Sequence, residues 1–447
     1  MKYHYYILLF SLIFSFERGF VHSIEFLDYK NAQEIQLQID EEIGDQGINI
    51  NAQYDVSLYK IIYETLNGYG DSTLASGVIA IPEDTDHAFG IISWQHGTVI
   101  QRNSVSSIQG FNLLTMILSS AGYVYVESDY LGLGVSEDFH PYCMDIPSAN
   151  VVIDMIRAAR NFCSGSNQIQ LNNQLSFVGY SEGGYATLAA QKMIEQDYPD
   201  EFDITISFPM AGPYDLSGTM VDLMLNGEPY GKPYYLPYIL LAYIDYYDLG
   251  ELEDFFLPEY AEILPILFDG YHSDGEIDDQ LPNPPIHILL PDLIDEFETD
   301  PNHFLREYLQ DNDLINWAPQ SLTYLFHGLG DELIPFDNAQ IAYDSFISHG
   351  SENITLVPIP ESYGGHQEAA PFALITAFQL GLQLQQINSK GDINSDEQID
   401  ISDVIIIVNY IMNFTELDNY LTWASDINND NIIDILDIIQ LVNLILG

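Results

Sequence analysis

A Gly-x-Ser-x-Gly pattern spans Gly179–Gly183, with Ser181 at its centre. The apolar run Leu175–Val178 precedes it and predicts a buried strand, and Tyr185–Glu195 follows with the composition of a helix. A serine at a sharp strand-to-helix turn is exposed as a nucleophile, and glycines are needed where a Cβ would clash. The pattern therefore favours nucleophilic catalysis by Ser181 over a glycine turn without a catalytic role.

A serine hydroxyl needs a base to take its proton and a carboxylate to orient that base. In chains of this type the acid and then the histidine follow the serine, each after a late strand. Asp331 follows the predicted strand Leu322–His327, and His366 lies in a glycine-bearing loop after Ile354–Ile359. Asp331 and His366 are therefore the predicted acid and base. The alternatives for the acid are Glu332 and Asp292.

Hydrolysis of a carbonyl compound also needs donors for the developing oxyanion. The N–H of Glu182, directly after the nucleophile, is one predicted donor. The other is the N–H of Thr98, because Gly97 lets the backbone approach a substrate after the predicted strand Ile91–Gln95. His96 is interpreted as a residue that stabilises this loop.

Apolar runs alternate with helical patterns from about residue 24 to residue 386, which predicts an α/β fold with a mainly parallel sheet covered on both faces. The predicted strands are Gly77–Ile81, Gly90–Gln95, Tyr123–Ser128, Leu175–Gly179, Ile204–Pro209, Leu322–His327 and Ile354–Ile359. The alternation breaks at about residues 214–320, where Tyr, Leu, Pro and Asp are abundant. This insert predicts a helical cap over the site, and the alternative is extra packing without contact to substrate.

The chain has 447 residues and a formal net charge of −56, from 67 acidic and 11 basic residues. This charge argues against nucleic acid and anionic membrane surfaces as partners. Hydrophobic residues make up 47% of the chain, which is enough for a large core. Cys143 and Cys163 are the two cysteines, and the sequence leaves a disulfide and two free thiols equally open.

The N-terminus has the features of a secretory signal peptide, predicted over residues 1–23. Its apolar core is Ile7–Phe16, and Val21–Ser23 offers the cleavage site. A buried N-terminal helix or strand is the alternative. Since no later apolar run reaches the roughly 18 residues needed to cross a bilayer, no membrane span is predicted in the mature chain. The chain is expected to be secreted or held at the cell surface.

Two acidic loops, offset by 34 residues, follow a short polar joint at residues 387–391. Each places oxygen ligands at positions 1, 3, 5, 7, 9 and 12, the spacing that calcium loops use, and an amphipathic helix follows each loop. Position 6, usually glycine at positive φ, is Glu397 in the first loop and Asn431 in the second. The predicted ligands of two Ca²⁺ ions are Asp392, Asn394, Asp396, Gln398, Asp400 and Asp403, then Asp426, Asn428, Asp430, Ile432, Asp434 and Asp437.

The region from about Tyr54 to Leu384 resembles the α/β-hydrolase fold, and within it the secreted lipases and esterases whose elbow reads Gly-Tyr-Ser-x-Gly-Gly. The matching segments are Gln95–Thr98, Asp129–Gly134, His140–Tyr142, Gly179–Gly184, His327–Gly328 with Asp331, and Gly365–His366. The resemblance implies a Ser181–His366–Asp331 triad that acts through an acyl-enzyme without a cofactor. Asp129 and His140 are interpreted as structural, because neither falls where a triad member should.

The C-terminal tandem of loop and helix, residues 390–447, resembles a dockerin module. The resemblance implies Ca²⁺ binding and a cohesin-bearing partner docked on exposed helix faces. Loop positions 10 and 11, which tune partner choice in that family, are Ile401 and Ser402 in one half and Ile435 and Leu436 in the other. Because the halves differ there, equivalent binding in two orientations is not expected.

Together these features predict a secreted serine hydrolase of carboxylic esters, with a hydrolase domain at residues 24–386 tethered through the dockerin-like module. A feruloyl or acetyl esterase acting on polysaccharide and a peptidase of the prolyl-peptidase kind are the alternative enzymes. A hydrolase fold that has lost catalysis and serves as a binding module is the alternative without enzyme activity.

Overall fold

A computed structural model of the chain describes residues 16–44, 50–165, 169–417 and 419–446. Ten strands form one sheet. The strands are β1 (Val21–Lys30), β2 (Val56–Leu66), β3 (Ser72–Pro82), β4 (His87–Gln95), β5 (Tyr123–Ser128), β6 (Gln170–Tyr180), β7 (Ile206–Met210), β8 (Thr323–Gly328), β9 (Ile354–Ile359) and β10 (Asn388–Ser389).

The strand order is β1-β2-β3-β5-β4-β6-β7-β8-β9. Pairing is antiparallel from β1 to β5 and parallel from β5 through β4, β6, β7 and β8 to β9. The predicted α/β class is therefore confirmed. Because parallel strands end at the same edge of the sheet, the loops after β4, β6, β8 and β9 meet there. The sequence did not predict β1 and β2, since β1 is largely exposed and β2 alternates buried and half-buried residues instead of forming an apolar run.

Helices cover both faces of the sheet, as predicted. One face packs against α4, α5 and α12, and the other against α1, α3 and α13. The helices are α1 (Ala32–Ile43), α2 (Ser106–Gln109), α3 (Leu113–Ser120), α4 (Asp145–Gly165), α5 (Glu182–Asp197), α6 (Val221–Leu225), α7 (Tyr235–Tyr247), α8 (Pro258–Leu267), α9 (Asp274–Asp278), α10 (Pro291–Thr299), α11 (Phe304–Asp311), α12 (Asp337–Ser348), α13 (His366–Leu384), α14 (Ile401–Ile411), α15 (Asn419–Ser425) and α16 (Ile435–Leu446).

The insert between β7 and β8 is helical, in agreement with the expected cap. It contains α6 to α11 and a short π-helix, Leu216–Met220. Tyr238 and Tyr243 of α7 are buried in the same cluster as the helices on one face of the sheet. The cap is therefore continuous with the core of the domain.

The folded domain begins upstream of the expected boundary at residue 24. Strand β1 starts at Val21, and the Arg18 guanidinium lies 2.9 Å from the carboxylate of the fully buried Asp154. Most of the predicted signal-peptide core, Ile7–Phe16, lies outside the described residues. Cys143 and Cys163 are free, buried thiols. Within the described ranges, no helix has both the length and the apolar character needed to cross a membrane.

The predicted polar joint is part of the sheet. Strand β10 pairs with the first two residues of β4, and the Lys390 N–H donates to the Asp86 carbonyl at 2.9 Å. Ala88 of β4 shares a buried cluster with Ile393 and Leu441 of the C-terminal module. The module is therefore packed on the edge of the sheet where β4 begins, opposite the edge where β4, β6, β8 and β9 end.

Candidate active site

Ser181 occupies a strained turn between β6 and α5. Its backbone has φ 63° and ψ −126°, an uncommon conformation for a residue with a side chain. A Cβ at Gly183 would lie 2.0 Å from the Gln95 carbonyl oxygen, and a Cβ at Gly179 would lie 2.1 Å from the Gly183 carbonyl oxygen. Both glycines are therefore required sterically, because no side chain fits at either position. Strain of this kind concentrates at functional sites.

His366 and Asp331 form a buried pair at the same edge of the sheet. The His366 Nδ1 lies 2.6 Å from the Asp331 Oδ2. The other carboxylate oxygen of Asp331 accepts the N–H groups of Leu333 at 3.1 Å and Ile334 at 2.8 Å. Two backbone donors thus fix the carboxylate in the orientation that holds the imidazole.

His327 is a second histidine beside Asp331, with 3.3 Å between its Nε2 and the Asp331 Oδ2. Burial alone would raise the pKa of Asp331, but hydrogen bonds from His327 and His366 outweigh it and lower that pKa to about 2. Asp331 is therefore ionised at neutral pH. His327 lies in one of the segments that resemble the lipases and esterases. Its contact with Asp331 could not be predicted from the sequence, because it depends on the conformation of the turn after β8.

Tyr180 joins His366, the predicted base, to the turn that carries Ser181. Its hydroxyl donates to the His366 carbonyl oxygen at 2.6 Å, and the two rings lie 5.1 Å apart. The His366 Nε2 is buried and has no hydrogen-bond partner among the described residues. The structure thus brings Asp331 and His366 beside the residue that precedes Ser181, and it leaves free the imidazole nitrogen that would accept a proton.

One predicted oxyanion donor, Glu182, directly follows Ser181, and the loop of the other, Thr98, lies beside it. A Cβ built on Gly97, the neighbour of Thr98, would lie 3.8 Å from the Ser181 Cβ, so this loop approaches Ser181 closely. Neither the Thr98 N–H nor the Glu182 N–H donates to any residue that the structure describes. Both groups are available to a substrate oxygen.

The two alternative acids do not take the acid's position. The Glu332 carboxylate accepts the backbone N–H of His366 at 3.1 Å and does not contact the imidazole. Asp292 is exposed on α10 in the cap. A contact that the sequence did not predict joins the Glu182 carboxylate to the His140 Nε2 at 2.6 Å.

The two acidic loops of the C-terminal module have the same backbone arrangement. The Asp392 carboxylate accepts N–H groups from Asp396 at 3.1 Å and Glu397 at 3.0 Å, and Asp426 accepts the equivalent pair at 3.1 Å each. Position 6 has positive φ in both, 67° at Glu397 and 63° at Asn431. These are the turns that a calcium loop requires.

The donor set of these loops fits a hard cation. Asp403 and Asp437, the position-12 carboxylates, are fully buried. Burial raises the pKa of Asp392, and the nearby Asp403 and Asp396 add to the effect. No group of three His, Cys, Asp or Glu side chains is close enough to hold a metal within the described ranges. Each predicted set combines four aspartates with one asparagine and one backbone carbonyl, and all of these are oxygen ligands of the kind that suits Ca²⁺.

Comparison with known proteins agrees with this geometry. The secretory lipase family matches residues 100–216, which include Ser181, and the dockerin type I domain matches residues 390–446. No curated protein matches the chain. A protein assigned as a hydrolase from Legionella pneumophila is 30% identical over 81% of this chain and 98% of its own, with a TM-score of 0.73.

Two further solved structures are similar. The rice cell wall degrading esterase LipA from Xanthomonas oryzae is 28% identical over 82% of this chain and 96% of its own, with a TM-score of 0.70. Candida antarctica lipase A shares the fold, with 18% identity over 82% of each chain and a TM-score of 0.60. The chain belongs to the secretory lipase family of α/β-hydrolases and carries a dockerin type I domain at its C-terminus.

Proposed function

We propose that the protein is a secreted serine hydrolase of carboxylic esters. The observation that carries this proposal is the His366–Asp331 contact of 2.6 Å beside the strained turn at Ser181. A fluorophosphonate probe tests it directly, because it reacts with an activated serine. Labelling should stop in Ser181→Ala, and an unlabelled native protein would favour the binding module instead.

In the proposed reaction, the Ser181 Oγ attacks the ester carbonyl carbon while His366 takes the hydroxyl proton at Nε2. The N–H groups of Glu182 and Thr98 stabilise the oxyanion of the tetrahedral intermediate. The C–O bond to the alcohol then breaks, and His366 gives the proton to the leaving oxygen. Water, deprotonated by the same imidazole, hydrolyses the acyl-enzyme and releases the acid.

Asp331→Asn is expected to lower kcat by about 10³- to 10⁴-fold, because an amide cannot stabilise the imidazolium and favours the wrong tautomer. Since the Asp331 pKa is about 2, its carboxylate stays ionised above that pH. Its protonation therefore does not set the acid limb of the pH–rate profile at pH 4 to 7. Initial rates on a p-nitrophenyl ester measure both effects. Less than tenfold loss in Asp331→Asn would contradict this role.

An apolar cavity lies under the cap, beside the proposed oxyanion site. Its volume is about 130 Å³, and it is lined by Tyr142, Cys143 and Ile334 together with apolar side chains of the cap. The Tyr142 hydroxyl lies 3.0 Å from the Thr98 Oγ1, which connects the cavity to the site. This position and lining suit the acyl chain of an ester.

We expect kcat/KM to rise with acyl length by about fourfold per methylene until the cavity is full, since a buried CH₂ contributes about 0.8 kcal/mol. Leu240→Trp, which places a large ring in the cavity, should reduce kcat/KM for an octanoyl ester by about tenfold or more and leave the acetyl ester within threefold. Ile266→Trp, on an exposed position of α8, is the matched control. A flat profile in p-nitrophenyl esters would exclude this role for the cavity.

A second substrate class is favoured by the similarity to the rice cell wall degrading esterase and by the dockerin domain. Both suit feruloyl or acetyl esters on polysaccharide. Acetylated xylan and methyl ferulate, assayed beside the p-nitrophenyl series, distinguish the two classes. The similarity to lipases and esterases makes an ester a better candidate than a peptide amide.

We further infer that the two acidic loops bind Ca²⁺ and that the helices after them bind a cohesin. Large apolar side chains are exposed on α14 and α16, among them Ile401, Ile405, Ile435 and Ile439. Exposed apolar patches of this kind mark protein–protein contacts. Attachment through this face would hold the enzyme at a scaffold or cell surface.

A further inference from the structure

The side chain of Glu182, the residue after the proposed nucleophile, forms a buried pair with His140. The Glu182 Oε1 lies 2.6 Å from the His140 Nε2, and the two side chains are 4% and 5% exposed. On its other side, the His140 Nδ1 lies 2.7 Å from the Leu131 carbonyl oxygen. A carbonyl oxygen can only accept, so Nδ1 carries a proton.

This proton fixes the charge of the pair. A contact of 2.6 Å between Nε2 and Oε1 needs a second proton between them. The pair is then either an imidazolium with a carboxylate or a neutral imidazole with a carboxylic acid, and its net charge is zero in both forms. The Glu182 Oε2 is buried without a hydrogen-bond partner among the described residues. His140 is therefore the group that compensates the glutamate.

Aromatic rings lie against the pair. Tyr130 stacks on His140 at 5.8 Å, and Tyr238 lies at the same distance. His96 stacks on the ring of Tyr130 at 4.1 Å. Burial raises the pKa of each neighbouring phenol and thiol, which keeps them neutral at pH 7: Tyr130, Tyr142, Cys143, Tyr235 and Tyr238.

We propose that His140 is a positioning residue for ester hydrolysis, which neutralises the Glu182 carboxyl so that it does not repel the oxyanion held by the Glu182 N–H. The proposal rests on the function proposed above, in which that N–H is an oxyanion donor. A bare carboxylate on the same residue would oppose the negative charge of the tetrahedral intermediate in a site of low polarity. The neutral pair also anchors the first turn of α5.

His140→Gln separates charge from hydrogen bonding, because its amide nitrogen can still donate where Nε2 was but cannot carry a positive charge. We expect kcat to fall by about 30-fold with KM changed less than threefold. The double variant His140→Gln/Glu182→Gln removes the carboxylate as well and should regain at least fivefold in kcat over His140→Gln. Glu182→Gln alone should lose less activity than His140→Gln.

The rescue by the double variant is a readout that a purely structural role would not move. The control is His272→Gln, which breaks the exposed His272–Asp269 pair of 3.0 Å in the cap and should leave kcat unchanged. Melting temperatures identify any variant that fails to fold. If His140→Gln does not fold, the effect of His140 is still measured by comparing the kcat of Glu182→Gln with that of the double variant.

Two results would overturn the inference: a double variant slower than His140→Gln, or a Glu182→Gln variant as impaired as His140→Gln. The first would show that the two losses add, as packing defects do, and the second would show that the negative charge is needed. Ser181→Ala separates this failure from failure of the proposed function. If Ser181→Ala is inactive and rescue is absent, only the role of His140 is wrong.

Discussion

Ser181→Ala is expected to lower turnover of p-nitrophenyl butyrate by about 10⁴-fold or more, because the remaining oxyanion donors cannot replace a covalent intermediate. The fold should survive, since the Ser181 side chain makes no capping hydrogen bond to α5. Ser181→Gly should be equally inactive but more stable by about 1 kcal/mol, because glycine adopts the φ of 63° without strain. Initial rates and thermal unfolding measure the two effects.

Ser207→Ala is the matched control for this pair. Ser207 lies on the neighbouring strand β7, and its hydroxyl is buried without a hydrogen-bond partner in the part of the chain described. Its loss should change neither turnover nor stability by much. Turnover above about 1% of native in Ser181→Ala would mean that another group is the nucleophile.

Removal of Ca²⁺ is expected to unfold the dockerin domain while ester turnover persists. Saturation of one site at 100 times its Kd contributes about 2.7 kcal/mol, so two sites contribute about twice that to a domain with a small core. Trp423 packs against this core and reports the change by fluorescence, and calorimetric titration should count two ions. The hydrolase domain should keep its activity because the proposed ligands lie outside its catalytic edge.

Asp403→Asn with Asp437→Asn should reproduce the effect of the chelator, since the two substitutions remove the proposed position-12 carboxylate ligand from both loops. Glu416→Gln, an exposed acid between the repeats, is the control. An unchanged Trp423 signal in excess chelator would contradict Ca²⁺ binding. Parallel loss of ester turnover would show that the catalytic edge depends on the module.

The parts of the candidate site could be identified from the sequence because each has a local signal. Five consecutive residues define the turn at Ser181. Asp331 and His366 each follow an apolar run that predicts a strand. The buried parallel strands were found for the same reason. Strand β2 was missed because Lys60 and Glu64 interrupt its apolar residues, which alternate as an antiparallel strand allows.

Contacts between distant segments could not be predicted in the same way. His140 and Glu182 are 42 positions apart, and their distance depends on the loop after β5 and on the first turn of α5. The Arg18–Asp154 pair spans 136 positions and shows that residues before the expected boundary belong to the domain. Such pairs need three-dimensional packing, because a single sequence carries no periodic signal for them.

The pairing of β10 with the start of β4 determines how this enzyme would be presented. The nine residues of β4 span about 25 Å, and they separate the dockerin from the edge that carries Ser181. If a cohesin binds the dockerin, the end of the sheet that carries Ser181 would therefore face away from the cohesin. Ester substrates on the side away from the cohesin would reach Ser181, whereas esters that lie between neighbouring attachment points would not.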